Sequence, residues 1–148
     1  MPKLQDFDFS TKLRQETSFM DFVNEVRNIL NSAVAAVVNS VQLTGQTGDI
    51  AATTIFTPVT PWFFRVSVYV ICTTAGGGTL NVTIGWTDSV GAKTSSPAAD
   101  INLNSTANGA TGSAFIRANA AAITYTATIT AKTGSPQYSL FIVLEQLG

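Results

Sequence analysis

Residues 31–50, NSAVAAVVNSVQLTGQTGDI, separate two kinds of sequence. As far as Leu43 the stretch is uncharged and apolar on nearly every side of a helical wheel. At Gly45 and Gly48 helical spacing stops, and the residues beyond them alternate with a period of two. Read backwards from the glycines, apolar residues fall at 3- and 4-residue steps: Phe19, Phe22, Val23, Val26, Leu30, Ala33, Val37 and, on a second stripe with Val34 and Val38, Val41. This spacing predicts an α-helix over residues 18–43. Ser18 followed by Asp21 makes a partial capping box at its start, with a carboxylate suited to the helix dipole. A helix apolar all round has to be buried. Such a helix could pack on the β domain of its own chain, but because the glycines cut it off from a complete β pattern, it is expected instead to associate with copies of itself through Phe19, Phe22, Val23, Val26, Leu30, Ala33, Val37 and Val41.

Downstream, residues 44–148 read as strands. Trp62–Cys72 alternates, with Phe64, Val66, Val68, Val70 and Cys72 on one face and Arg65, Ser67 and Tyr69 on the other. The same rhythm runs through Leu80–Trp86, Ile123–Thr130 and Tyr138–Glu145. Shorter pieces lie at Thr53–Thr57, Ile101–Leu103 and Ala114–Arg117, and TDSVGAKTSSPAAD (residues 87–100) reads as a loop with at most a short edge strand. Seven to eight strands with turn signals between them and no intervening helix predict a mainly β protein, an antiparallel β-sandwich. Two strands depart from the apolar-in, polar-out rule. Phe63, Tyr69 and Ile71, like Phe141 and Val143, oppose the core face of their strands, so both faces are expected to be covered. One sandwich covers one face by itself, and the second cover is read as a neighbouring subunit.

Upstream of the helix, residues 1–17 show no sustained period. LQDFDF sets Leu4, Phe7 and Phe9 against acids, and Leu13 follows. This predicts an extended arm whose apolar anchors are Leu4, Phe7, Phe9 and Leu13. The organisation expected is therefore an arm at 1–17, a self-associating helix at 18–43 and a β-sandwich at 44–148. Charge follows the same division: nine charged residues precede Thr44, and eight are spread over the longer remainder.

Composition narrows the chemistry. Charged residues are 11% of the chain, less than half of the usual quarter or so. Thr, Ser, Asn and Gly fill the surface instead. A net charge of −1 argues against nucleic acid, whose phosphates need clustered Lys and Arg. The absence of His removes the commonest general base and metal ligand. Cys72 is the lone cysteine, so no intrachain disulfide or cysteine metal cluster is expected, and its inward position reads as core. No secretory leader is expected, since MPKLQDFDFSTKLRQE (1–16) is polar and charged without an apolar run, and no membrane span, since the run from Ile29 to Leu43 is short and interrupted by Asn and Gln.

The candidate chemistry is thin. Asp49, Asp88, Asp100 and Glu145 could in principle pair as a glycosidase dyad, but they are scattered over turns and a chain end. Gly76–Gly78 lacks the Lys and following helix of a phosphate loop and reads as a hairpin turn. Asn81 and Asn104 match the glycosylation sequon, a weak motif. PWFF (residues 61–64) and Trp86 could stack on a sugar, although core and interface packing accounts for them more simply. No catalytic, metal or cofactor-binding residue is expected.

With QLTGQTGDIAATTIFTP (42–58), FFRVSVYV (63–70) and LNVTIGWTD (80–88) following an anchoring peptide and a self-associating helix, the chain resembles small virion proteins of tailed bacteriophages: capsid decoration proteins, head fibres and short tail fibres. The resemblance is one of style across the whole chain. It implies a jelly-roll-like β domain, a homotrimer, a virion location after assembly in the host cytoplasm, no enzyme activity and no cofactor. Two functions stay open under it. One is a decoration or head-fibre subunit that binds capsid or other virion proteins through its arm. The other is a short tail fibre or receptor-binding tip that grips a host surface glycan.

Overall fold

A computed structural model describes residues 19–32 and 35–147, and these fall into two units divided between Val34 and Ala35. The expected arm with Leu4, Phe7, Phe9 and Leu13, the Ser18 cap and Ala33 lie outside the described residues. The first unit holds helix α1 (Phe19–Ser32), with Asp21 in its first turn. Phe22, Val23 and Val26 are half-buried, whereas Asp21, Asn24, Arg27 and Asn28 are exposed, as the 3- and 4-residue spacing requires. The Arg27 guanidinium donates to the Asn24 side-chain oxygen across one turn at 3.4 Å.

The second unit is built from eight strands: β1 (Ala36–Gln46), β2 (Ile50–Phe56), β3 (Trp62–Thr74), β4 (Gly77–Thr87), β5 (Ala92–Asn102), β6 (Gly109–Ala118), β7 (Ile123–Thr133) and β8 (Gln137–Gln146). They form two antiparallel four-stranded sheets in the orders β1-β8-β3-β6 and β2-β7-β4-β5. The pairs β1·β8, β2·β7, β3·β6 and β4·β5 describe one long antiparallel ribbon folded at the β4–β5 turn. Rolling that ribbon adds the pairs β3·β8 and β4·β7 and closes the two sheets over one core. This is the jelly roll, eight strands in two Greek keys.

The alternating residues read from the sequence meet between the sheets. Phe64, Val66, Val70, Leu80, Val82, Ile84, Tyr138, Leu140, Ile142 and Leu144 are almost wholly buried, and Phe56 and Phe64 set their rings 5.9 Å apart. Cys72 is inward and buried, as expected. Gly112 permits the close approach of β6 to β5 of the opposite sheet, since a Cβ there would sit 1.8 Å from the Pro97 carbonyl oxygen.

Two elements differ from expectation. The helix ends at Ser32 and does not reach residue 43; Ala36–Gln46 is strand β1, so Val37 and Val41 are strand residues and the sandwich begins at residue 35. The physical reason lies in β8. Its sequence YSLFIVL is apolar on both faces, which suits a strand paired on both sides, and β1 supplies the second partner through Val37↔Glu145 to Gln46↔Tyr138. Val37, Val38 and Val41 are β-branched and gain more from a pleated surface than from a helix. Their all-round apolarity is that of a strand, with Val41 and Leu43 packed against the core and Val37 exposed on the other side. Asn39 also gains a role there: its amide donates to the Ile55 carbonyl and ties β1 to β2 of the opposite sheet.

The second difference is β5, an 11-residue edge strand where a loop was expected. Two register shifts, between Leu80 and Val82 and between Val82 and Ile84 of β4, break the period that a sequence pattern relies on. Asp100, at φ 55°, lies in this irregular stretch, and its N–H donates to the Asn81 side chain. Pro97 is accommodated because an edge strand leaves one side of its backbone unpaired.

Candidate interaction surface

The outer faces of the two sheets differ in chemistry. On the β2-β7-β4-β5 sheet the register aligns Thr79 with Thr130, Asn81 with Thr128, Thr83 with Thr126 and Gly85 with Thr124, and the Thr83 hydroxyl bonds Ser96 at 2.9 Å. This face is a hydroxyl surface. On the β1-β8-β3-β6 sheet the aligned rows are Val37, Glu145, Arg65 and Phe115; then Ser40, Val143, Ser67 and Ser113; then Gln42, Phe141, Tyr69 and Thr111. Phe63 and Leu147 extend it at one end, where the Leu147 N–H donates to the Phe63 carbonyl.

Most of the large exposed apolar side chains lie here. Phe115 is 71% exposed, Phe63 58% and Tyr69 43%, with Val37 and Val143 beside them. Tyr69 and Phe141 stack with ring centroids 5.8 Å apart. Between this stack and edge strand β6, the small side chains of Ser67, Thr111 and Ser113 leave a shallow groove of about 450 Å³, bounded by Phe141 and Val143. Across its upper row the Arg65 guanidinium donates to the Glu145 carboxylate at 2.6 Å. That bond raises the Arg65 guanidinium and holds the Glu145 carboxyl below its ordinary range. The pair neutralises itself within the chain, and the rest of these rows carries no charge.

Sequence reasoning placed Phe63, Tyr69, Ile71, Phe141 and Val143 opposite the core, and the structure gathers them on this one face. It missed Phe115, because Ala114–Arg117 is too short a pattern to show two faces. The aromatic platform does not assemble: Phe64 is core and Trp86 packs against the core, leaving Trp62 and Phe63 exposed. The Trp62 indole N–H is held by the Leu147 carbonyl. Of the expected self-association residues, Phe19, Phe22, Val23, Val26 and Leu30 share α1, while Val37 and Val41 are in β1.

Three of the four scattered acids have separate structural partners, Glu145 with Arg65 as above. Asp49 accepts from the Ile129 N–H at 2.8 Å, and Asp88 accepts from the N–H groups of Val90 and Gly91 in the β4–β5 turn. Among the described residues no three His, Cys, Asp or Glu side chains gather as a metal site, and no helix is long and apolar enough to cross a membrane.

The pairings also sort the loops. Residues 47–49, 75–76, 103–108 and 134–136 join strands at one end of the sandwich. Residue 35, the C-terminal residues of β8, Trp62 and Ala118 lie at the other. The end remote from the chain's entry is polar and without aromatics, capped by Asn108 donating to the Asn102 carbonyl and the Asn104 side chain.

No protein-family model matches the chain, and no curated protein sequence is measurably similar to it. Solved structures similar to it include the VP2 subviral particle of infectious bursal disease virus, at 15% identity over 78% of this chain and 32% of that one, with a TM-score of 0.46. PRD1 vertex protein P5 matches at 13% identity over 76% of this chain and 99% of its own, TM-score 0.48. The capsid of Helicobacter pylori bacteriophage KHP30 matches at 12% identity over 77% and 92%, TM-score 0.46. The chain thus spans about a third of the VP2 chain and nearly all of the P5 chain.

Proposed function

We propose that the protein is a non-enzymatic structural subunit of a virus particle, a capsid decoration or head-fibre protein of the tailed-phage type. In this reading it is a homotrimer, holds capsid or other virion proteins through residues 1–17, and turns the loop end remote from residue 35 outward. The observation that carries the proposal is the asymmetry of the jelly roll. Its core is complete, yet one of its two outer faces is aromatic and nearly uncharged. An exposed apolar surface of this kind marks an assembly surface where the described residues offer no cluster of metal-ligating groups.

The competing reading, a receptor-binding tip that stacks on a host glycan, needs aromatics at the outward end. Trp62 and Phe63 lie at the entry end instead, and loops 47–49, 75–76, 103–108 and 134–136 have none. Light scattering at micromolar concentration is expected to give three times the 15.6 kDa chain mass, and a cryo-EM map of the virion is expected to place it on the head. A stable single-chain mass would overturn the trimer, and density at a tail tip would favour the glycan reading.

A further inference from the structure

On the outer face of β1-β8-β3-β6 a projection and a hollow stand side by side. Phe115, on edge strand β6, projects with 71% of its surface exposed. One row away on the same strand, Ser113 and Thr111 form the floor of the groove that Ser67, Tyr69, Phe141 and Val143 complete. We propose that the occupant of this face is a second copy of the same chain, with Phe115 of one copy seated in the groove of the next. The inference deepens the self-association proposed above and rests on it, but it moves a principal contact from the helix to the sandwich.

Three observations favour a second copy. The first is charge. Arg65 is already neutralised by Glu145 within the chain, so a strongly acidic or basic partner would find little to pair with beyond Arg117 at the rim. A surface as uncharged as itself matches it. The second is extent. With about 200 Å² for a whole aromatic side chain and somewhat less for a valine, the exposures of Val37, Phe63, Tyr69, Phe115 and Val143 leave on the order of 400–500 Å² of apolar surface. A stable interface buries roughly 800 Å² per partner, up to about 65% of it apolar, which is a similar amount. The third is shape. An aromatic anchor and a hollow floored by small side chains occur on one face, so in a closed ring each copy can fill the groove of the next without any further component.

The test uses full-length chains. Phe115→Asp and Val143→Asp should each weaken association roughly a hundredfold or more, because a carboxylate would be buried without a partner. Light scattering at micromolar concentration should then read single chains. Circular dichroism reports whether the sandwich has survived. Should either variant fail to fold, a milder pair decides: Phe115→Cys and Val143→Cys chains with different tags are mixed and oxidised, with buried Cys72 left in place. A disulfide joining the two tags is expected, and none is expected when Thr128→Cys on the hydroxyl face replaces Val143→Cys. If the wild type is oligomeric but both Asp variants keep its mass and the cysteines do not cross-link, the inference falls while the proposed self-association stands. A monomeric wild type would remove both.

Discussion

Tyr138 joins the core to the turn between β1 and β2. Its ring is buried, and its hydroxyl donates to the Gly48 carbonyl at 2.9 Å. Burial, with the nearby Asp49 charge adding to it, pushes the phenol from 10.0 up to about 12. The unfolded chain releases that proton near pH 10 and the folded chain does not, so the folded state holds more protons between the two values. Stability is therefore fully present below pH 10 and is expected to fall as pH rises from about 10 to about 12. Tyr138→Phe should cost about 1 kcal/mol at neutral pH through the lost hydrogen bond, and urea denaturation at a series of alkaline pH values should show a shallower decline than the wild type. An equal slope would mean that other groups carry the alkaline sensitivity. The inward placement of Tyr138 was legible, because it begins an alternating run. Its bond to Gly48, 90 residues away in sequence, was not, since no local pattern encodes which turn lies over a strand's first residue.

Among the elements, legibility followed regularity. Strands β3, β4, β7 and β8 keep a clean period of two and were readable to within a few residues. Strand β5 was hidden by two register shifts and by a composition of Ser, Thr, Ala and Pro. Strand β1 was hidden in another way: Val37, Val38 and Val41 fit helical spacing by position, while their branching and the need of β8 for a second neighbour favour a strand. Local spacing cannot report a partner about a hundred residues downstream. What remains of the helix is 14 residues, roughly 21 Å, a length at which isolated helices are marginal in water. A helix of this length should depend on packing of its apolar face. Val26→Asp is therefore expected to lower the oligomer mass in light scattering or melt the helix in far-ultraviolet circular dichroism. Asn24→Asp, on the exposed side and bonded to Arg27, should leave both readings unchanged. If Val26→Asp is tolerated as well as Asn24→Asp, α1 is not an assembly element and the sandwich face alone carries association.

At the scale of the whole molecule, the mainly β class and the presence of a second apolar face were legible, but the strand at Ala36–Gln46 and the strand order were not. Alternation says which side of a strand is buried and nothing about which strand lies beside it. The jelly roll follows from the six strand pairings, and these also put Phe115 on the same face as the Tyr69–Phe141 stack, two rows away across the Ser67–Ser113 row. In the proposed particle, residues 1–17 and the sandwich divide the work: the first attaches and the second assembles and displays. Fixing seventeen arm residues on a partner costs on the order of 17–34 kcal/mol of backbone entropy. Leu4, Phe7, Phe9 and Leu13 return roughly 1.5–3 kcal/mol each, so strand-like hydrogen bonds to the partner have to offset much of the rest. A single arm is then a weak ligand, and three on one trimer bind through their effective concentration. Deleting residues 2–14 should leave an oligomer of unchanged stoichiometry, because the contacts proposed for assembly lie at residue 19 and beyond. The same deletion should abolish binding when the protein is mixed with particles assembled without it and the bound fraction is measured by sedimentation. Full occupancy by the truncated chain would show instead that the particle is gripped by the jelly roll, and the aromatic face of β1-β8-β3-β6 would be the first surface to reassign from self-association to attachment.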